Sequence, residues 1–166
     1  MSRMLPRPSC GVDHVLAHGA APGGAGGLLS WAIQPRGRRV IVRLDGELDT
    51  DTAPRLARQI EPLAETGSHL ILDLAAVRFC DCAGLNLFVR LQLLASAAGG
   101  WMHLAEPTPA IRRLIALTGL YDILPVEAGL VGAITAPAET PQPRHPFSIP
   151  VTAAWPRPPA PPGPIR

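Results

Sequence analysis

The segment His69-Leu70-Ile71-Leu72-Asp73-Leu74 constrains this chain more than any other, because it is a nearly continuous apolar run of strand length. A strand with one face in water alternates apolar and polar residues, whereas an unbroken run is buried on both faces. Such a strand sits inside a sheet covered on both sides, and helices are the usual cover.

The neighbouring sequence supplies both strands and helices. Val40-Ile41-Val42-Arg43-Leu44 is a β-branched run closed by Asp45-Gly46, and a first strand near Leu28 to Gln34 would join it as a hairpin through Pro35-Arg36-Gly37. Trp101-Met102-His103-Leu104 forms a further strand after Gly99-Gly100. Between these runs, Leu56, Ile60, Leu63 and Ala64 recur at helical spacing from Thr52 to Thr66, with Asp51 or Thr52 as N-cap and Gly67 as terminator. Pro62 is expected to kink that helix or end its regular part early. A second helix spans Ala83 to Ala98. A third opens with Thr108 and Pro109, turns Ile111, Leu114, Ile115 and Leu117 inward, and stops at Gly119. Strands alternating with helices predict an α/β layer structure.

The two ends read differently. Residues 1–27 are rich in Gly, Ala and Pro, with too little branched apolar surface to offset ordering entropy, and are expected to form a flexible arm. Residues 136–166 contain eleven Pro in thirty-one positions, a composition that favours an extended, disordered tail over a packed domain. Phe147 and Trp155 are isolated there and do not change that expectation.

Charge and cysteine content exclude several function classes. All 15 basic residues are Arg, which reflects coding bias, and residues 40–135 set seven Arg against eleven carboxylates. A folded part acidic by four charges argues against a direct nucleic-acid surface. Cys10, Cys80 and Cys82 make no disulfide framework, so a reducing, cytoplasmic location is expected. No run of about eighteen uncharged apolar residues is present to span a membrane, and Pro6, Pro8, Asp13 and His14 interrupt any N-terminal signal core. Cys80 and Cys82 with His69 or His103 lack the paired spacing of structural zinc, so no metal is expected. No cofactor motif occurs, and no Ser, His and Asp set or base beside Cys82 supports an enzyme.

Three segments carry a family resemblance. They are Leu44-Asp45-Gly46-Glu47-Leu48-Asp49; Leu72-Asp73-Leu74 with Phe79-Cys80-Asp81-Cys82-Ala83-Gly84-Leu85; and Ile111-Arg112-Arg113-Leu114-Ile115-Ala116-Leu117-Thr118-Gly119-Leu120. Their order and spacing resemble the STAS domain of bacterial anti-sigma factor antagonists, best over residues 38–127 within a domain of 28–130. The resemblance implies a STAS-like mixed sheet of four to five strands flanked by helices, without chemistry of its own. It implies binding to an anti-sigma factor of the histidine-kinase-like ATPase type, or packing against other STAS proteins in a signalling assembly.

By the same resemblance the partner-binding residues are Asp49, Asp81, Cys82, Ala83, Gly84, Leu85 and Asn86. Cys82 stands at the position where family members carry the Ser or Thr that the anti-sigma kinase phosphorylates. No Ser or Thr occurs between residues 69 and 95, so the phosphorylation switch lacks its oxygen. A helix N-terminus also favours a thiolate, but the adjacent Asp81 charge opposes it, and Cys82 reads as a small residue kept where a switch was lost. Cys80 reads as a small buried hydrophobe. The second helix is apolar on more than one stripe, which means either exposure to a partner or cover by its own neighbours. Asp45, Glu47, Asp49 and Asp51 would form an acidic rim beside the site, with Asp51 read as a helix cap.

Overall fold

The computed structural model describes residues 17–22 and 28–135. In chain order the elements are β1 (Ala17–Pro22), β2 (Leu28–Arg36), β3 (Arg39–Leu48), α1 (Ala53–Glu65), β4 (His69–Cys80), α2 (Cys82–Ala97), β5 (Trp101–Ala105), α3 (Pro109–Leu117), β6 (Val126–Glu127) and α4 (Leu130–Thr135). The strands form one mixed sheet in sequence order, antiparallel from β1 to β3 and parallel from β3 to β6. The α/β class and the helix-flanked mixed sheet expected from the sequence are what the chain forms.

Strand alternation sorts the sheet into two faces. Leu29, Trp31 and Ile33 of β2, Val40, Val42 and Leu44 of β3, Leu70, Leu72 and Leu74 of β4, and Met102 and Leu104 of β5 join one core with α1, α2 and α3. Right-handed connections that step in one direction along a sheet place every crossover helix on the same face, and these three helices do share one face. The opposite face carries Ile41, Ile71, Trp101 and Ala105, covered by Ala133, Leu130 and Ile134 of α4. Leu70, Ile71 and Leu72 are all fully buried, as the unbroken run required.

Several details depart from the sequence reading. The Ala- and Gly-rich segment Ala17–Pro22, expected within a flexible arm, pairs with β2 as an edge strand, since ladder hydrogen bonds need backbone groups and no particular side chain. Among the described residues it makes a sixth strand. The remaining arm positions and the tail 136–166 lie outside the described residues. β3 runs past Asp45-Gly46 to Leu48; Gly46 has φ +119°, and a Cβ there would overlap the Leu28 carbonyl. α1 continues three residues beyond Pro62, whose exposed position lets water satisfy the carbonyl it leaves unpaired. Leu117 is 75% exposed, because α3 ends there and its last turn leaves the sheet; Leu114 is only half-buried.

Two buried histidines tie stability to pH. Burial, with Arg38 and Arg39 nearby, pushes the His69 imidazole below its usual range, and burial does the same to His103 against a smaller opposing pull from Glu127. With the folded-state values depressed, the unfolded chain binds more protons as pH falls below about 6.5, so this contribution is complete above that pH and is lost below it. The expected outcome is a Tm that is flat between about pH 7 and 8 and falls by pH 5.5, with a shallower fall in a His69→Gln/His103→Gln variant. An identical slope in that variant would assign the acid sensitivity to other groups.

Candidate functional site

Parallel β3 and β4 end together. Leu48 pairs with Cys80, and the Asp81 N–H donates to the Leu48 carbonyl at 3.1 Å. The loop from β3 into α1 and the turn from β4 into α2 therefore stand side by side at the carboxyl edge of the sheet, where open α/β sheets place their sites.

Each turn is held by one aspartate. Asp81 is the N-cap of α2, and its Oδ1 accepts from the Ala83 N–H at 2.7 Å and the Gly84 N–H at 3.2 Å. In the neighbouring loop Asp49 Oδ1 accepts from the N–H groups of Asp51 at 3.0 Å and Thr52 at 2.8 Å. The fully buried Thr52 hydroxyl accepts from the Asp49 N–H at 2.9 Å and lies 2.9 Å from the Glu47 carbonyl. Thr52 takes the N-cap position of α1, but its side chain is spent on the loop; Asp51, read as a cap, only donates its N–H, and Asp49 organises the turn.

The sequence-predicted residues divide by exposure. Cys82 and Asn86 are exposed, and Asp49 and Asp81 are partly exposed, so these four share the surface. Ala83, Gly84 and Leu85 are buried and turn their side chains inward. Gly84 sets how closely α2 approaches the strands, since a Cβ there would lie 2.6 Å from Cys80 Sγ and 2.9 Å from Leu48. Burial pushes the Cys80 thiol up to about 12, reinforced by the charge of Asp81, which fits the reading of Cys80 as an inert core residue. Cys82 is an exposed free thiol. His69 begins β4 and Cys80 ends it, so the strand itself separates the groups that a metal site would have to combine. Among the described residues no cluster of three or more metal-ligating side chains occurs, and no helix is long and apolar enough to cross a membrane.

The wide apolar surface of α2 is covered by its own neighbours. Leu85, Leu87, Phe88, Leu91 and Leu94 are buried. Gln92, polar in sequence, is also buried, and its Oε1 accepts from the Met102 N–H at 3.0 Å. Arg90 reaches Glu61 on α1 at 2.6 Å. The exposed apolar group at the site is instead Phe79, 51% exposed and beside Glu47. Periodicity could not reveal it: β4 carries an extra residue between the Gly46–Val77 and Glu47–Phe79 pairs, and that bulge turns Phe79 outward and Cys80 inward. Arg78 and Asp45 form an exposed ion pair nearby at 3.6 Å.

Comparison with known proteins agrees with this fold. The STAS domain family pattern matches residues 30–133. The chain is 32% identical over 98 residues to the anti-sigma F factor antagonist of Paenibacillus polymyxa, covering 58% of this chain and 84% of that protein. It is 34% identical over 93 residues to the anti-sigma-B factor antagonist of Bacillus subtilis, covering 56% and 85%. The crystal structure of an anti-sigma factor antagonist from Mycobacterium paratuberculosis superposes with a TM-score of 0.57 at 28% identity, over 64% of this chain and 92% of that one.

Two measurements test the site as built. Asp81→Ala removes the α2 cap and should cost about 1 kcal/mol in denaturant unfolding, Gly84→Ala about 1–3 kcal/mol through overpacking, and exposed Asn86→Ala within about 0.5 kcal/mol of zero. A neutral Gly84→Ala would show that α2 can lift from the sheet freely. In a Cys10→Ser background, a thiol reagent at about pH 8 should modify Cys82 alone in the folded protein and Cys80 only after unfolding. Equal native rates would contradict the burial of Cys80.

Proposed function

The chain belongs to the STAS domain family, and from that premise we propose that it acts as an anti-sigma factor antagonist whose partner surface is built from Asp49, Phe79, Asp81, Cys82 and Asn86. The partner in this reading is an anti-sigma factor of the histidine-kinase-like ATPase type, met in the cytoplasm. The chain contributes surface and no catalysis.

One observation carries the reading: the exposed first residue of α2, beside the Asp49 loop, is Cys82 where the family resemblance places a phosphorylated hydroxyl. In a hydroxyl-bearing relative, an added phosphate would sit at a helix N-terminus and change both charge and shape at the centre of the contact. Here Asp81 already occupies the Ala83 and Gly84 N–H groups, which keeps the turn in one conformation without phosphate. Phe79 supplies an apolar anchor of the kind that dominates interface energetics, and Asp49 and Asp81 supply a partly exposed acidic rim that suits a basic groove. Binding in this chain is therefore not switched by Ser/Thr phosphorylation at position 82.

A kinase moves a phosphoryl group onto a hydroxyl oxygen held in line, and positioning supplies most of the rate, so a larger sulfur at that point displaces the nucleophile. Incubated with a cognate anti-sigma kinase and ATP, the native protein should acquire no phosphate at position 82 by intact-mass and tandem mass spectrometry, whereas Cys82→Ser should acquire it. Phosphorylated Cys82→Ser should then lose kinase binding at least tenfold while the native protein retains it, and Phe79→Ala should weaken binding by ~2 kcal/mol in Kd. Stoichiometric phosphate on native Cys82 would overturn the loss of the switch. Equal binding of Cys82→Ser with and without phosphate would remove position 82 from the contact.

A further inference from the structure

The two turns at the carboxyl edge of the sheet repeat one another. Leu48 pairs with Cys80 where β3 and β4 end, and each strand is followed by an aspartate and then by an exposed residue, Thr50 after Asp49 and Cys82 after Asp81. In both turns the aspartate Oδ1 accepts from the N–H groups two and three residues on, Asp51 and Thr52 in one and Ala83 and Gly84 in the other. Neighbouring strands lie about 4.8 Å apart, so matching turns that start from the paired Leu48 and Cys80 bring Thr50 and Cys82 side by side on one surface.

Thr50 carries the hydroxyl that Cys82 lacks, and the fold does not use it. The other hydroxyls among the described residues are either bonded within the fold, as in Thr52, Thr66 and Thr118, or have a buried oxygen, as in Ser96 and Thr108. Thr50 is exposed and its Oγ1 makes no hydrogen bond among the described residues. A thiol is a weak donor and a weak acceptor, so the exposed Cys82 offers a partner little polar bonding. The Thr50 backbone is already ordered. Asp49 Oδ1 holds the two residues after it, and the buried Thr52 hydroxyl meets the Asp49 N–H and the Glu47 carbonyl on the other side. A group presented on a turn fixed in this way loses little freedom when a partner binds it.

We infer that Thr50 belongs to the partner surface, and that its Oγ1 accepts the hydrogen bond that a hydroxyl at position 82 would otherwise take from the anti-sigma factor. The inference rests on the antagonist reading above and deepens it by one contact. The chemistry of the partner group follows from the charges around Thr50. Asp49 and Asp81 are partly exposed in the two turns, Asp51 is exposed, and Glu47 is half-buried at the base of the loop. These carboxylates repel a carboxylate and attract a cation, so the group that reaches Thr50 is a nitrogen donor of a basic side chain. Thr50 thus replaces the lost oxygen as a contact, one turn across from where the family resemblance places it.

The test measures binding of the full chain to the cognate anti-sigma kinase by calorimetry, with ADP in place of ATP so that no phosphoryl transfer intervenes. Thr50→Val keeps the shape and removes the oxygen, and should weaken Kd about fivefold to tenfold. Thr50→Ser keeps the oxygen and should stay within about twofold of native. In the Thr50→Val background Cys82→Ser should recover most of the loss, whereas in the native background it should change Kd by no more than about twofold, because the partner donor is then already satisfied. Thr50→Val should melt within about 2 °C of native, since the side chain is exposed and unbonded in the fold, and Thr50→Ala repeats the measurement where Val disturbs the turn. Unchanged affinity in the Thr50 variants, with Phe79→Ala weakened, would overturn this inference and leave the antagonist surface standing. Equal effects of Cys82→Ser in the two backgrounds would also overturn it, since the two hydroxyls would then meet different atoms. If the native chain does not bind, or Phe79→Ala binds as well as native, the antagonist surface fails and this inference fails with it.

Discussion

The parallel pairing of β3 with β4, from Arg39 beside His69 to Leu48 beside Cys80, is the constraint on which the rest of the structure depends. Two adjacent parallel strands cannot be joined by a tight turn, so the chain must cross back as a helix, and α1 is that crossover. The central strand then has two apolar faces, which three crossover helices cover on one side and α4 on the other. The same pairing also fixes the site. It ends both strands at one level, so the turns that follow must be neighbours and the exposed residues of α2 must stand beside the Asp49 loop.

At that edge the two aspartates carry most of the order. Each accepts two backbone N–H bonds that would otherwise face water or a partner unpaired. Asp81 is thereby committed to its own helix as well as partly exposed, and its cap bonds fix the position of Cys82. Ala83, Gly84 and Leu85 act in the same indirect way. They are small or apolar because α2 must enter against Leu48 and Cys80, and Gly84 leaves no room for even one carbon. Packing accounts for all three, and it holds the neighbouring Cys82 at the surface.

How much of this was legible follows from what each feature requires of side chains. β4 announced itself because burial on two faces forbids alternation, and the start of α2 because the motif around Asp81 carries the family resemblance. β1 was invisible because its pairing uses backbone groups that Ala and Gly share with every residue. β6 and α4 are two and six residues long, too short for any period to register. Leu117 fitted the apolar spacing of α3, yet periodicity does not state where a helix leaves the sheet. Phe79 is the instructive case at the site: the residue was in the quoted motif, but its direction depends on a bulge in the ladder with β3, and a bulge is a property of two strands together. The exposure of Cys82 was legible only through its place as the first residue after a cap.

His69 and Cys82 lie at opposite ends of the same strand, since His69 starts β4 and Cys82 comes two residues after its last residue, Cys80. Twelve residues of strand separate them by ~35 Å. Between them the register of β4 against β3 and β5 is pinned by fully buried side chains at Leu70, Ile71 and Leu72. A strand so held does not slide, because a one-residue slip would turn every one of those side chains to the wrong face. The turn that presents Cys82 therefore inherits a fixed position from the buried side chains of the strand before it.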